Sequence, residues 1–100
     1  MREAPEEELP SANYSSEWKV FPNPSTGNVS LAFSLSRDEP LQVNVFDVNG
    51  RLVKKLLEGQ FPQGKHQVEI NLSNSQAGTY WIQMQRANGI STKRLVLLPR

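Results

Sequence analysis

The chain has no cysteine, a single histidine and no apolar run approaching the roughly 18 residues that cross a bilayer as a helix. Without thiols there are no disulfides, no cysteine-zinc sites and no thiol catalysis, although export stays open because exported domains do not all rely on disulfides. Without an apolar span no membrane insertion is expected. With 11 cationic and 10 anionic side chains the formal net charge is only +1, so no basic field points to nucleic acid as a partner. The beginning, with Glu3, Glu6, Glu7 and Glu8, is the opposite of the basic start of a signal peptide, and no export leader is expected in it. Helical spacing of apolar residues is nowhere sustained.

What is present divides near Trp18. Residues 1–17 combine Pro5, Pro10, the acidic cluster and Ser11, Ser15 and Ser16, with Leu9 and Tyr14 as the large apolar residues. Such a stretch buries too little surface to offset its ordering entropy and reads as a linker. From Trp18 to Arg100 the pattern changes to short runs of alternating apolar residues punctuated by Gly, Pro, Asn and Ser, the period-2 signature of half-buried strands. At 100 residues in total there is room for one small core.

The runs can be placed. Trp18 to Phe21 forms a short strand that Pro22 and Pro24 end, since proline has no N–H for a ladder. Val29, Leu31, Phe33 and Leu35 alternate with polar or small residues, and Leu41, Val43 and Val45 continue after a polar turn at Ser36 to Pro40. Asn49-Gly50 predicts a hairpin that returns along Arg51 to Leu57, and a loop from Glu58 to Gly64 leads to His66, Val68, Ile70 and Leu72. Tyr80, Ile82 and Met84 follow, Asn88-Gly89 marks a second hairpin, and the chain closes on Ile90 to Leu98. That last run is apolar on both sides at Leu95-Val96-Leu97-Leu98, which predicts an end covered on two faces or added at an edge. About seven strands at about 8 to 12-residue spacing argue for an all-β, immunoglobulin-like antiparallel β-sandwich, with an up-and-down barrel as the competing architecture. The Glu58 to Gly64 loop is expected to cross between the sheets.

Catalytic chemistry is scarce. His66 lies in the apolar register of its strand and has no second histidine for a metal, so a core or boundary position explains it better than catalysis. Asp38 and Glu39 read as solvated turn residues, and Asp47 as an Asx-type hydrogen-bonding residue of its hairpin. A calcium site on Asp47, Asn49 and a carbonyl falls short of the about six to eight oxygens calcium takes. No catalytic residue, metal or cofactor is expected. The aromatics offer one binding alternative: Trp18, Tyr80 and Trp81 as a platform for a sugar ring, with Trp81 on the face opposite Tyr80, against the plainer reading that both tryptophans pack in or beside the core. Lys54-Lys55 and Lys93-Arg94 are basic pairs of the kind that protect edge strands.

Four segments carry a family resemblance. Val20-Phe21-Pro22-Asn23-Pro24-Ser25-Thr26-Gly27, Val45-Phe46-Asp47-Val48-Asn49-Gly50-Arg51, Ala77-Gly78-Thr79-Tyr80-Trp81-Ile82 and Thr92-Lys93-Arg94-Leu95-Val96-Leu97 resemble, in order, the successive motifs of the type A C-terminal sorting domain of the type IX (Por) secretion system. The likeness runs from Trp18 to Arg100. It implies a non-catalytic signal that takes an upstream cargo across the periplasm of a Gram-negative bacterium to the outer-membrane surface or the medium. The implied partners are an outer-membrane translocon and a sortase-like peptidase that cuts within residues 1–17. By this resemblance Lys93, Arg94, Leu95, Val96 and Leu97 are what the translocon reads, through the strand edge and the basic pair. Pro22, Asn23, Pro24, Gly27, Asp47, Gly50, Gly78 and Tyr80 are structural supports. A carbohydrate-binding or adhesion module of a secreted enzyme, with Trp18 and Trp81 as the ligand platform, is the rival reading.

Overall fold

The computed structural model of the protein describes residues 18–99; the expected linker and Arg100 lie outside the described residues. Seven strands follow in order: β1 (Trp18–Phe21), β2 (Asn28–Leu35), β3 (Glu39–Phe46), β4 (Leu52–Phe61), β5 (Gly64–Asn71), β6 (Gly78–Arg86) and β7 (Gly89–Leu97). They form two sheets, one ordered β1-β2-β5 and the other β4-β3-β6-β7, and every strand pairing is antiparallel. The architecture is the expected β-sandwich.

Alternation explains why the sheets meet where they do. In β2 the residues Val29, Leu31, Phe33 and Leu35 are all buried, and in β3 so are Leu41, Val43 and Val45, while their neighbours point outward. Ile82 and Met84 of β6 and Leu95 of β7 join them with no exposed surface at all. Each such side chain contributes roughly 1.5–3 kcal/mol by leaving water. β4 departs from the rule. Its register against β3 shifts between Val43 and Asn44 and again between Val45 and Phe46, so one face is never cleanly apolar and most of the strand is exposed.

Three local expectations are corrected. The stretch Glu58 to Gly64 is not a long loop: β4 runs on to Phe61, pairing Glu39, and only Pro62 and Gln63 cross to β5 in the other sheet. The hydrogen bond from the Gln63 N–H to Asp38 Oδ1 (2.7 Å) holds this short crossing. The second hairpin turns on Ala87 and Asn88, because Gly89 already pairs Arg86. Glu39 is no turn residue. It opens β3 from a buried position, held by Arg86 across the sheet at 2.8 Å.

The short crossing ties the β4 and β5 edges together at one side of the sandwich. At the other side β1 faces β7, and the seam there is closed by side chains. The indole Nε1 of Trp18 donates to Ser91 Oγ at 3.1 Å, and Lys93 Nζ lies 5.2 Å from the centre of the Trp18 ring.

Candidate functional site

Strand directions bring the four sequence motifs to one end of the sandwich. The loop after β1, the turn between β3 and β4, the start of β6 and the end of β7 all lie there. The Pro22–Gly27 loop is the centre of this arrangement. Proline at 22 and 24 prevents it from continuing as a strand, and both bonds preceding those prolines are cis. Asn23 then faces the outer edge of β7, donating from Nδ2 to the Arg94 carbonyl (2.8 Å) and accepting the Val96 N–H on Oδ1 (3.1 Å). Its side-chain amide thus offers one donor and one acceptor, as a neighbouring strand's peptide group would. Ser25 continues the cover with its backbone, donating to the Val96 carbonyl (3.0 Å) and accepting the Leu98 N–H (2.7 Å) in a parallel bridge to Leu97.

The loop is held in turn. Ser25, 4% exposed, donates its hydroxyl to the Asn28 carbonyl and accepts the Gly27 N–H. Gly27 has φ +144 and its carbonyl accepts the Leu72 N–H at 2.7 Å; a Cβ there would meet Ser73 Cα at 3.0 Å, so a side chain would be strained by the conformation and crowded against backbone. Pro22 and Pro24 are exposed.

The other supports are local. The Asp47 peptide closes its hairpin through Asp47 N–H to the Arg51 carbonyl and Gly50 N–H to the Asp47 carbonyl, with Gly50 at φ +82 in the left-handed region. This is a three-residue loop with Gly50 as the bulge, in place of the two-residue turn that Asn49-Gly50 suggests. Asp47 Oδ1 accepts the N–H groups of Asn49 and Arg51, and the Arg51 N–H bond is the main reason its carboxyl sits below the usual aspartate range, with the Arg51 cation assisting. Gly78 opens β6 opposite Leu97, and Tyr80, buried, donates its hydroxyl to the Gln76 carbonyl at 2.5 Å.

The terminal residues divide by face. Leu95 and Leu97 are core residues at 0% and 3% exposure, and Val96 is half-buried on the outer face. Arg94 is exposed on that face opposite Trp81. Lys93 points to the seam. Because Asn23 and Ser25 already occupy the β7 edge from the Arg94 carbonyl to the Leu98 N–H, strand addition along Lys93 to Leu97 is blocked in this fold. What the closing motif leaves open to solvent are the side chains of Lys93 at the seam and Arg94 on the outer face, with Val96 half-buried beside Arg94.

The aromatic platform does not form. Trp18 and Tyr80 are 4% and 8% exposed and face the core, whereas Trp81, 40% exposed, lies on the opposite face of the four-stranded sheet. His66 is a boundary residue of β5, stacked on Phe33 (ring centres 5.0 Å apart, 19° between planes) with Nε2 donating to the Pro62 carbonyl. Periodicity did not reveal the Glu39–Arg86 pair. Both side chains stand at apolar positions of their strands, and a charge in the core register of each of two strands, of opposite sign, is the signal that could have found it.

The family model described as a secretion system C-terminal sorting domain matches residues 19–98. The chain belongs to the type IX sorting-domain family. No curated protein matches it. Sorting domains of this kind are C-terminal signals for type IX secretion, form a non-catalytic family, and imply an upstream cargo delivered to the cell surface or the medium. The converging end of the sandwich is therefore the candidate signal.

Proposed function

We propose that the type IX outer-membrane translocon reads the closing motif of this sorting domain through the side chains of Lys93, Arg94 and Val96. Leu95 and Leu97 anchor the strand in the core, and Asn23 and Ser25 hold its edge in one geometry. The observation that carries this reading is the clamp of the first motif's loop on the last motif's strand. A signal read by a receptor works best as a rigid object, since ordering it on binding would reduce affinity. The cargo stands upstream, crosses the periplasm, and is released by a sortase-like peptidase that cuts within residues 1–17.

The experiment is export of a reporter fused ahead of Met1, behind a periplasmic signal peptide, in a bacterium with the type IX system and in its translocon-deficient mutant. Surface display that needs the translocon is expected. Periplasmic retention in both strains, with the domain folded, would remove the sorting role of this chain.

A further inference from the structure

One row of residues crosses the whole outer face of the four-stranded sheet. Leu52 pairs Phe46, Phe46 pairs Trp81, and Trp81 pairs Arg94. Leu52 is 55% exposed and Trp81 40%, with Phe46 half-buried between them, and Val96 stands half-buried beside Arg94 on the same face. No described residue covers this row, and Arg94 makes no ion pair among the described residues. Water against an indole, a phenyl ring and a leucine in one line is unfavourable, and tryptophan beside arginine is the composition of energetically dominant contact sites.

We infer that this row is the docking surface for the translocon protein that reads the terminal motif, and that Trp81 is its anchor. The inference rests on the proposed reading of Arg94. Arg94 and Val96 are the motif residues that present side chains on this face, so a protein that touches them also lies over Trp81. Its matching surface carries an apolar recess for Trp81, Phe46 and Leu52, and a carboxylate at the end of the row to meet Arg94. A charged pair sealed by neighbouring apolar contact fixes orientation as well as adding attraction.

The reporter fusion tests it with Trp81→Thr and Leu52→Thr, both β-compatible changes at exposed sites, and with Lys19→Gln on the outer face of the other sheet as control. Translocon-dependent display should fall about tenfold or more in the first two and stay unchanged in the control, with circular dichroism of the purified chains unaltered. If Trp81→Thr does not fold, Leu52→Thr at the edge strand decides alone. Wild-type display by both threonine variants overturns the docking surface while leaving the sorting role standing; failure of the wild type itself to depend on the translocon strikes the sorting role instead. A dimer in sedimentation, or retention on a polysaccharide column, that Trp81→Thr abolishes would assign the face to a second copy or to a sugar and equally overturn the inference.

Discussion

Asn23 and Val96 are 73 residues apart in sequence, yet the Asn23 side-chain oxygen accepts the Val96 N–H at 3.1 Å on the open edge of the last strand. The same amide donates to the Arg94 carbonyl, so one side chain satisfies two groups of an edge that would otherwise face solvent or another chain. The first and last motifs of the sorting domain are therefore one structural unit.

Replacing Asn23 by Ala removes both bonds. A loss of about 1 kcal/mol is expected, small because solvent can replace the amide at this exposed site. The sharper readout is hydrogen exchange: the Val96 amide should exchange faster in Asn23→Ala, while the Ile82 amide in the sheet interior should change only with global stability. Equal protection of Val96 in both proteins would contradict the clamp.

Gly27→Ala and Gly78→Ala separate conformation from space. Both glycines have positive φ, near +145, but a Cβ at 27 meets the Ser73 backbone at 3.0 Å and one at 78 meets nothing within 4 Å. Each should lose about 1 kcal/mol or more from backbone strain, with Gly27→Ala the worse of the two. Urea midpoints of the two variants, compared at constant slope, check the order.

Glu39 makes the domain acid-sensitive. The hydrogen bond from Arg86 holds its carboxyl below the usual value of 4.5, with the Arg86 charge and the Ala87 N–H assisting against burial. A folded-state value below the unfolded one gives stability that is present above about pH 4.5 and lost as pH falls through the lowered value. The thermal midpoint should hold from pH 7 down to about 5 and then drop, with a shallower drop in Glu39→Gln. Some slope remains in that variant, since the Asp47 and Glu69 carboxyls are also held low, Glu69 chiefly by the Ser30 hydroxyl. An identical pH profile for Glu39→Gln would show that the pair does not couple protonation to folding.

Arg86→Ala tests the same pair from its other side. It leaves a buried carboxylate alone and should cost about 3 kcal/mol or more, whereas Glu39→Leu with Arg86→Met should cost much less. Comparable chemical-denaturation midpoints for the single and double variants would be the contrary result.

The double substitution Lys93→Gln with Arg94→Gln separates recognition from folding. Stability should change by no more than about 1 kcal/mol, mostly through loss of the Lys93 contact with the Trp18 ring. Translocon-dependent display should nevertheless fall. Undiminished display, with an unchanged thermal midpoint, would mean that charge has no part in reading the motif.

Much of this was legible in the order of residues. Alternation at Val29 to Leu35, and again at Leu41 to Val45, settles which face of each strand is buried, because successive side chains must point to opposite sides of a sheet. The proline pair and the glycines at 27 and 50 mark the turns for equally local reasons. The motifs sufficed to recognise the sorting-domain family. Irregular pairing was less legible: nothing in Arg51 to Phe61 foretells two register shifts or a strand that runs to Phe61, since those follow from how β4 fits β3.

What the sequence by itself determined is thus the apolar alternation of the strands, which rests on neighbours within a few positions, and the family, which rests on four motifs in order along the chain. Only the tertiary structure decided that Asn23 covers Arg94 and Val96, that Glu39 meets Arg86, and that Trp18 and Trp81 lie on different surfaces. Such relations depend on strand order and register across the two sheets, and hydrogen bonds between residues tens of positions apart form only after the hydrophobic faces have closed on one another.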